Sequence, residues 1–272
     1  MLHSSGTHPI SGKNHHFNEL FKQTKNEAGN HEVKLTIWGP AHAFTELTVF
    51  NQTSGIGDVY QNADELKVGL INAYKEFLEE YAQAGGTIIQ LDDCLWELFS
   101  EDNEQGFVAA GVENVEQLAD DFIAINNEIA DYAHELGLKA WTHNCRGNYE
   151  SRHMAGGSYE SIAEKFLKDQ HYDRFFLEWD DERAGDLEAL KVLQDKSDVE
   201  VVLGLLSSKT SDLDNEKRVY DLLEKASEII PKDRLFLSHQ CGFASCDGGN
   251  ELSIDQQWKK INQGQAIAKK FW

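Results

Sequence analysis

Six times along this 272-residue chain a short apolar run is followed by a longer stretch of helical periodicity. That alternation limits the fold more than any other feature, because strands separated by helices re-enter a sheet in one direction and build a parallel α/β architecture. The spacing predicts strands near 33 to 38, 86 to 91, 138 to 143, 174 to 178, 199 to 206 and 234 to 239. Helices are expected at about 64 to 84, 115 to 136, 158 to 169, 183 to 195, 214 to 228 and 254 to 270. The Gly85-Gly86 pair and Gly137 stand where a helix ends before the next strand. Residues 1 to 32 are polar and hold one helix, around Phe17 to Lys25, while residues 33 to 272 read as one domain.

With 40% hydrophobic residues the chain can bury a large core. Its formal net charge of -22, from 25 Lys plus Arg against 47 Asp plus Glu, excludes the basic footprint that nucleic acid or an anionic membrane surface demands. A small organic partner fits better. No run approaches the length of a membrane-spanning helix, and Met1 to Lys13 has no apolar signal-peptide core, so the expected location is cytoplasmic. Four cysteines in a chain this long make no disulfide framework, and reduced thiols are what a zinc-thiolate site requires.

Four residues that can ligate a metal, His143, Cys145, Glu178 and Cys241, each stand at the downstream end of an apolar, strand-like run. In Leu138-Lys-Ala-Trp-Thr-His-Asn-Cys145 the alternation of a strand sends His143 and Cys145, two apart, to the same face. Glu178 closes Arg174-Phe-Phe-Leu-Glu178, and Cys241 closes Arg234-Leu-Phe-Leu-Ser-His-Gln-Cys241. Taken singly, each has an ordinary reading as a buried thiol, a core histidine or a salt-bridged glutamate. Taken together they read as one zinc site, and the absence of C-x-x-C makes a purely structural zinc the weaker reading. A (β/α)8 barrel of the TIM type carries its functional groups at the C-terminal ends of its strands, so that is the expected fold class. About six βα units are present and six strands do not close the usual barrel, which predicts an incomplete barrel with edges open to self-association. Acyl transfer, nucleotide hydrolysis and NAD chemistry lack their motifs here, and a glycosidase pair of Asp92 and Glu178 leaves the cysteines unexplained.

From about Leu35 onward the chain resembles the catalytic domain of cobalamin-independent methionine synthase, especially its short, single-domain bacterial relatives. The residues that carry the resemblance are Trp38-Gly39-Pro40, Ile89-Gln90-Leu91-Asp92-Asp93, His143-Asn-Cys145-Arg-Gly-Asn148, Leu177-Glu178-Trp-Asp-Asp-Glu-Arg-Ala-Gly185 and Ser238-His-Gln-Cys241-Gly-Phe-Ala-Ser245. The resemblance implies a (β/α)8 barrel whose zinc ligands, a His, a Cys, a Glu and a Cys in that order, map onto His143, Cys145, Glu178 and Cys241. It implies methyl transfer from a donor such as 5-methyltetrahydrofolate to a thiol such as homocysteine, with Zn2+ keeping the acceptor sulfur as thiolate. Asp92 takes the position of the substrate-binding Asp, and Asp93 beside it reads as a substrate contact or a helix cap. Trp96 reads as a stacking surface for a flat ring or as packing.

The chain also departs from the family. The Gly-Ser turn and the acidic residue of the first two strands have no counterpart, and Met1 is followed by residues like the loop before the third strand. A chain lacking the first two barrel strands is therefore expected. Where the family has a proton-donating histidine this chain reads Gly204-Leu-Leu-Ser-Ser-Lys209, so Lys209 joins Asp92 as a candidate catalytic residue and Ser208 as a substrate contact. Arg146, Arg152 and Arg183 lie just past strand ends, placed to hold an anionic group, with pairing to Asp180, Asp181 or Glu182 the stronger reading for Arg183. His239 is a candidate neighbour or competing ligand of the metal, or a plain strand-end residue, and Cys246 is a further thiol. Two alternatives stay open: a thiol alkyltransferase of the epoxyalkane-coenzyme M transferase type, and a noncatalytic or split-barrel fragment.

Overall fold

The computed structural model describes residues 8–50, 59–100 and 103–272; Met1 to Thr7, the start of the polar N-terminal stretch, lie outside the described residues. Six strands follow one another in sheet order as in the chain: β1 Leu35–Trp38, β2 Ile88–Asp92, β3 Lys139–Asn144, β4 Arg174–Glu178, β5 Glu200–Leu206 and β6 Leu235–His239. Each lies within two residues of its expected place. The recorded pairings β1 with β2, β4 with β5 and β5 with β6 are all parallel, so the chain has the α/β fold that its βα alternation predicts. Seven α-helices among the described residues accompany them: α1 His16–Ala28, α2 Pro40–Thr45, α3 Ala63–Gln83, α4 Gln105–Ala109, α5 Val115–Glu135, α6 Glu216–Ser227 and α7 Ile254–Phe271. The short α2 and α4 carry no sequence signal long enough to mark them. No helix among the described residues is long and apolar enough to cross a membrane.

The chain divides into two compact units. The first comprises residues 1–93, 107–142 and 170–172. Its crossovers are the 21-residue helices α3 and α5, whose ends are chemically explicit. Asn62 caps α3 by accepting from the Glu65 N–H, and Asn114 caps α5 through the Gln117 N–H. Both helices stop on a left-handed glycine, Gly85 (φ 83) and Gly137 (φ 76). The Gly86 N–H then reaches back to Tyr81 O and the Leu138 N–H to Ala133 O, which closes the chain tightly into the next strand. In β2 the residues Ile88 to Leu91 are all buried, as expected of a parallel strand covered on both faces.

The second unit comprises residues 94–106, 143–169 and 173–272. Here two expected helices are corrected. The stretch 158 to 169 forms a 3-10 turn, Tyr159–Ser161, and a π-helical turn, Glu164–Lys168, while 183 to 195 forms two 3-10 segments, Glu182–Ala184 and Leu187–Leu193. The break between the latter is Gly185, whose φ of 78 ends one segment before Asp186 caps the next through the Glu188 N–H. Leu187, Leu190 and Leu193 are all buried, and at three residues per turn a spacing of three stacks them directly above one another. Packing of that stripe outweighs the α-helical propensity of the segment.

Candidate metal centre

The second unit builds a cluster of donor atoms at strand ends. Cys145 is its hub: the side chains of Cys241, Cys94 and His143 all hydrogen-bond to it. The Sγ atoms of Cys94 and Cys145 are 3.2 Å apart, and Cys241 Sγ is 3.4 Å from His143 Nε2. Two overlapping sets bring their ligand atoms within 4.8 Å of one another, Cys94 with His143 and Cys145, and Cys145 with Glu178 and Cys241. Cys145 is common to both sets; of the sequence-predicted ligands His143 falls in the first, and Glu178 and Cys241 in the second. Hydrogen bonds from Cys241 and Cys94 hold the Cys145 thiol well below its usual range, and the bond to Cys145, together with burial, pushes Cys241 up.

The supports of each donor come from local chain geometry. Gly204 in β5 lies so close to the chain after β6 that a Cβ there would stand 2.7 Å from Gln240 Cα, and a register shift in β5 follows it. Gln240 Oε1 accepts from the Ser208 N–H at 3.0 Å, the Ser208 hydroxyl at 2.6 Å and the Cys241 N–H at 2.8 Å. Ser208 therefore holds the loop that carries Cys241. Glu178, buried at the end of β4, accepts from the Arg146 N–H at 2.6 Å through Oε2, and from Lys209 Nζ at 3.0 Å and Arg183 at 3.3 Å through Oε1. Burial raises its pKa and Lys209 opposes the rise.

Of the other predicted residues, Arg183 and Trp96 take their pairing and packing readings, while Arg146 departs from its expectation as an anion contact. Arg146, 1% exposed, spends Nε and Nη2 on Gly157 O and Nη1 on Glu178 O, and its guanidinium lies 4.2 Å from the centre of the Tyr159 ring. Its donors face the protein interior, not an anionic ligand. Lys209 is buried against Glu178. Trp96 is fully buried and packs on Phe99 and Phe166. Arg183 pairs with Asp181 at 2.5 Å, and His239 lies against Phe243 in neither donor set. Asp92 and Asp93 belong to the first unit. There, Asp92 accepts from Gln90 Nε2 at 2.6 Å, and the fully buried Asp93 accepts from Asn126 Nδ2 at 2.8 Å.

Two residues of the cluster escape the sequence reading. Cys94 opens the 3-10 turn Cys94–Phe99, two residues beyond β2, and Glu97 lies three further on, where a 3-10 turn eclipses side chains i and i+3. Glu97 is 1% exposed, neither carboxyl oxygen has a hydrogen-bond partner, and burial, with Cys145 nearby, pushes it up to about 9. The strand-end rule, applied to the cysteine just past Ile88–Asp92, is the signal that finds Cys94.

Among known proteins, the chain is 35% identical over 267 residues to YxjH of Bacillus subtilis, covering 98% of this chain and 67% of that protein. It is 34% identical over 247 residues to YxjG of the same organism, 90% and 63%. The chain thus spans about two thirds of the length of these relatives. Among solved structures, a candidate vitamin-B12 independent methionine synthase from Listeria monocytogenes superposes with a TM-score of 0.71 at 27% identity, over 97% of this chain and 72% of that one. A B12-independent methionine synthase from Shewanella sp. W3-18-1, in complex with selenomethionine, gives 0.62 at 20% identity over 93% and 65%. No family model matches the chain. The chain belongs to the family of Bacillus subtilis YxjH, and its likeness to the Listeria protein sets that family beside the cobalamin-independent methionine synthases.

Proposed function

We propose that this chain is a zinc-dependent methyltransferase that moves a methyl group from a donor such as 5-methyltetrahydrofolate to a thiol such as homocysteine. The observation that supports the reading is the pair of donor sets in the second unit, Cys94 with His143 and Cys145, and Cys145 with Glu178 and Cys241, which share Cys145. Two sulfurs, an imidazole nitrogen and a carboxylate oxygen are the donor types that zinc takes, so the residues present fit the ion. When bound, the ion would supply the positive charge that keeps the sulfur of an acceptor thiol deprotonated near neutral pH.

The protein's own residues do the rest. Lys209, Arg183 and the Arg146 N–H fix the Glu178 carboxylate, and Gln240 with Ser208 fixes the Cys241 loop, so the donor set is preorganised. The acceptor sulfur attacks the methyl carbon as the bond from that carbon to the donor nitrogen breaks, and the nitrogen keeps the electron pair and takes a proton. The reduced thiols suit a cytoplasmic setting.

Elemental analysis of protein purified under reducing conditions tests the reading. About one zinc per chain, largely lost in Cys241→Ser, is the expected result. A wild-type protein that never retains near-stoichiometric zinc overturns it. Methyl transfer from 5-methyltetrahydrofolate to homocysteine, followed as methionine formed, then tests the substrates.

A further inference from the structure

We propose that Cys94 is a further metal ligand, which gives the centre three thiolates and His143 and leaves Glu178 as a carboxylate held by the protein beside them. The inference rests on the metal-site reading above and changes its ligand set. Three observations point to it. Cys94 Sγ lies 3.2 Å from Cys145 Sγ, and the ligand atoms of Cys94, His143 and Cys145 all fall within 4.8 Å of one another. Two thiolates about 2.3 Å from a tetrahedral zinc stand about 3.8 Å apart, so these two sulfurs need separate by only about 0.6 Å to share one ion.

Glu178, by contrast, is already engaged. One of its oxygens accepts from a backbone N–H at 2.6 Å, and the other faces Lys209 at 3.0 Å and Arg183 at 3.3 Å. With two cations and an amide on its oxygens the Glu178 carboxylate is already compensated by the protein and is the weaker donor to a metal, whereas Cys94 hydrogen-bonds directly to the Cys145 sulfur. Lys209 and Arg183 are then the positive charges that offset a centre with three thiolates. Chain geometry delivers the extra donor cheaply: Cys94 opens the 3-10 turn directly after β2, so a further strand end contributes to the cluster. A donor set richer in sulfur favours thiophilic ions over oxygen-loving ones.

X-ray absorption of the zinc-loaded wild-type protein reads the sulfur count directly and needs no variant. Three sulfurs and one light atom are expected; two sulfurs and two light atoms overturn the proposal and leave the metal-site reading standing. Wild-type protein that takes up no metal overturns both. Cobalt replacing zinc gives a second readout. In Cys94→Ser the sulfur-to-cobalt charge-transfer absorption is expected to fall from the intensity of three thiolates to that of two, and an unchanged spectrum contradicts ligation by Cys94. If Cys94→Ser fails to fold, the wild-type sulfur count still decides.

Discussion

Asp93 in the first unit and Glu97 in the second are both buried carboxyl groups in the segment after β2, and the protein treats them in opposite ways. Asp93 accepts from Asn126 Nδ2 through Oδ2 and faces His42 Nδ1 at 3.9 Å through Oδ1, and Asn126 in turn accepts from the Ala41 N–H and donates to Gln170, so one side of the group sits in an amide network. Glu97 has no hydrogen bond at either oxygen and stays protonated because burial lifts it to about 9. A satisfied buried network rigidifies a fold, while an unsatisfied buried group is tolerated mainly where function requires it. The comparison separates the two carboxyl groups: Asp93 shares an amide network with Asn126 and Gln170, and Glu97 lies near the sulfur and carboxylate donors of the second unit.

The largest test of that contrast is Cys145→Ser. Because Cys145 is the sulfur that the other donors share, metal content should fall from about one per chain to near zero while the far-ultraviolet circular dichroism stays native. Retention of full metal content would show that the cluster has no hub. Next in size is Glu97→Gln. The unfolded carboxyl titrates near 4.5 and the folded one near 9, so between those values the unfolded state binds fewer protons and wild-type stability falls as pH rises. The fall is on the order of 1.4 kcal/mol per pH unit over that window, and Glu97→Gln should remove it. Urea midpoints at pH 5 and pH 8 measure the slope; parallel wild-type and variant curves refute the assignment.

In the first unit, Asn126→Ala leaves the Asp93 carboxylate without its amide donor. A loss of about 2 kcal/mol in urea denaturation is expected, with metal content unchanged. A simultaneous loss of metal would blur the division between a structural and a functional network. The smallest effect belongs to Gly137→Ala. A Cβ at this position has no atom within 4 Å, so only the left-handed backbone resists it, at a cost of about 1 kcal/mol. A cost well above that would mean the helix end carries more than local strain.

Much of this was legible in the chain itself. The strands and the long helices α3, α5, α6 and α7 follow from periodicity and from caps such as Asn62, Asn114 and Ser253, all of which act within a few residues. The donor types at the ends of β3, β4 and β6 were visible for the same reason, since a strand end is a local event. The segments 158 to 169 and 183 to 195 read as α-helix because their side chains favour it, yet the first folds as a 3-10 and a π turn, and in the second Gly185 and the three-residue spacing of Leu187, Leu190 and Leu193 give 3-10 turns against the core.

By itself the sequence determined the α/β class, the order of the units and the kinds of atoms offered at each strand end, because each depends on neighbours in the chain. Only the tertiary structure decided which atoms meet. Cys94 reaches Cys145 across 51 residues and His143 approaches Cys241 across 98. Arg146 turns inward because Gly157 and Glu178 offer carbonyl oxygens that a buried guanidinium must satisfy. Such contacts depend on packing between segments distant in the chain, and no local pattern encodes that distance.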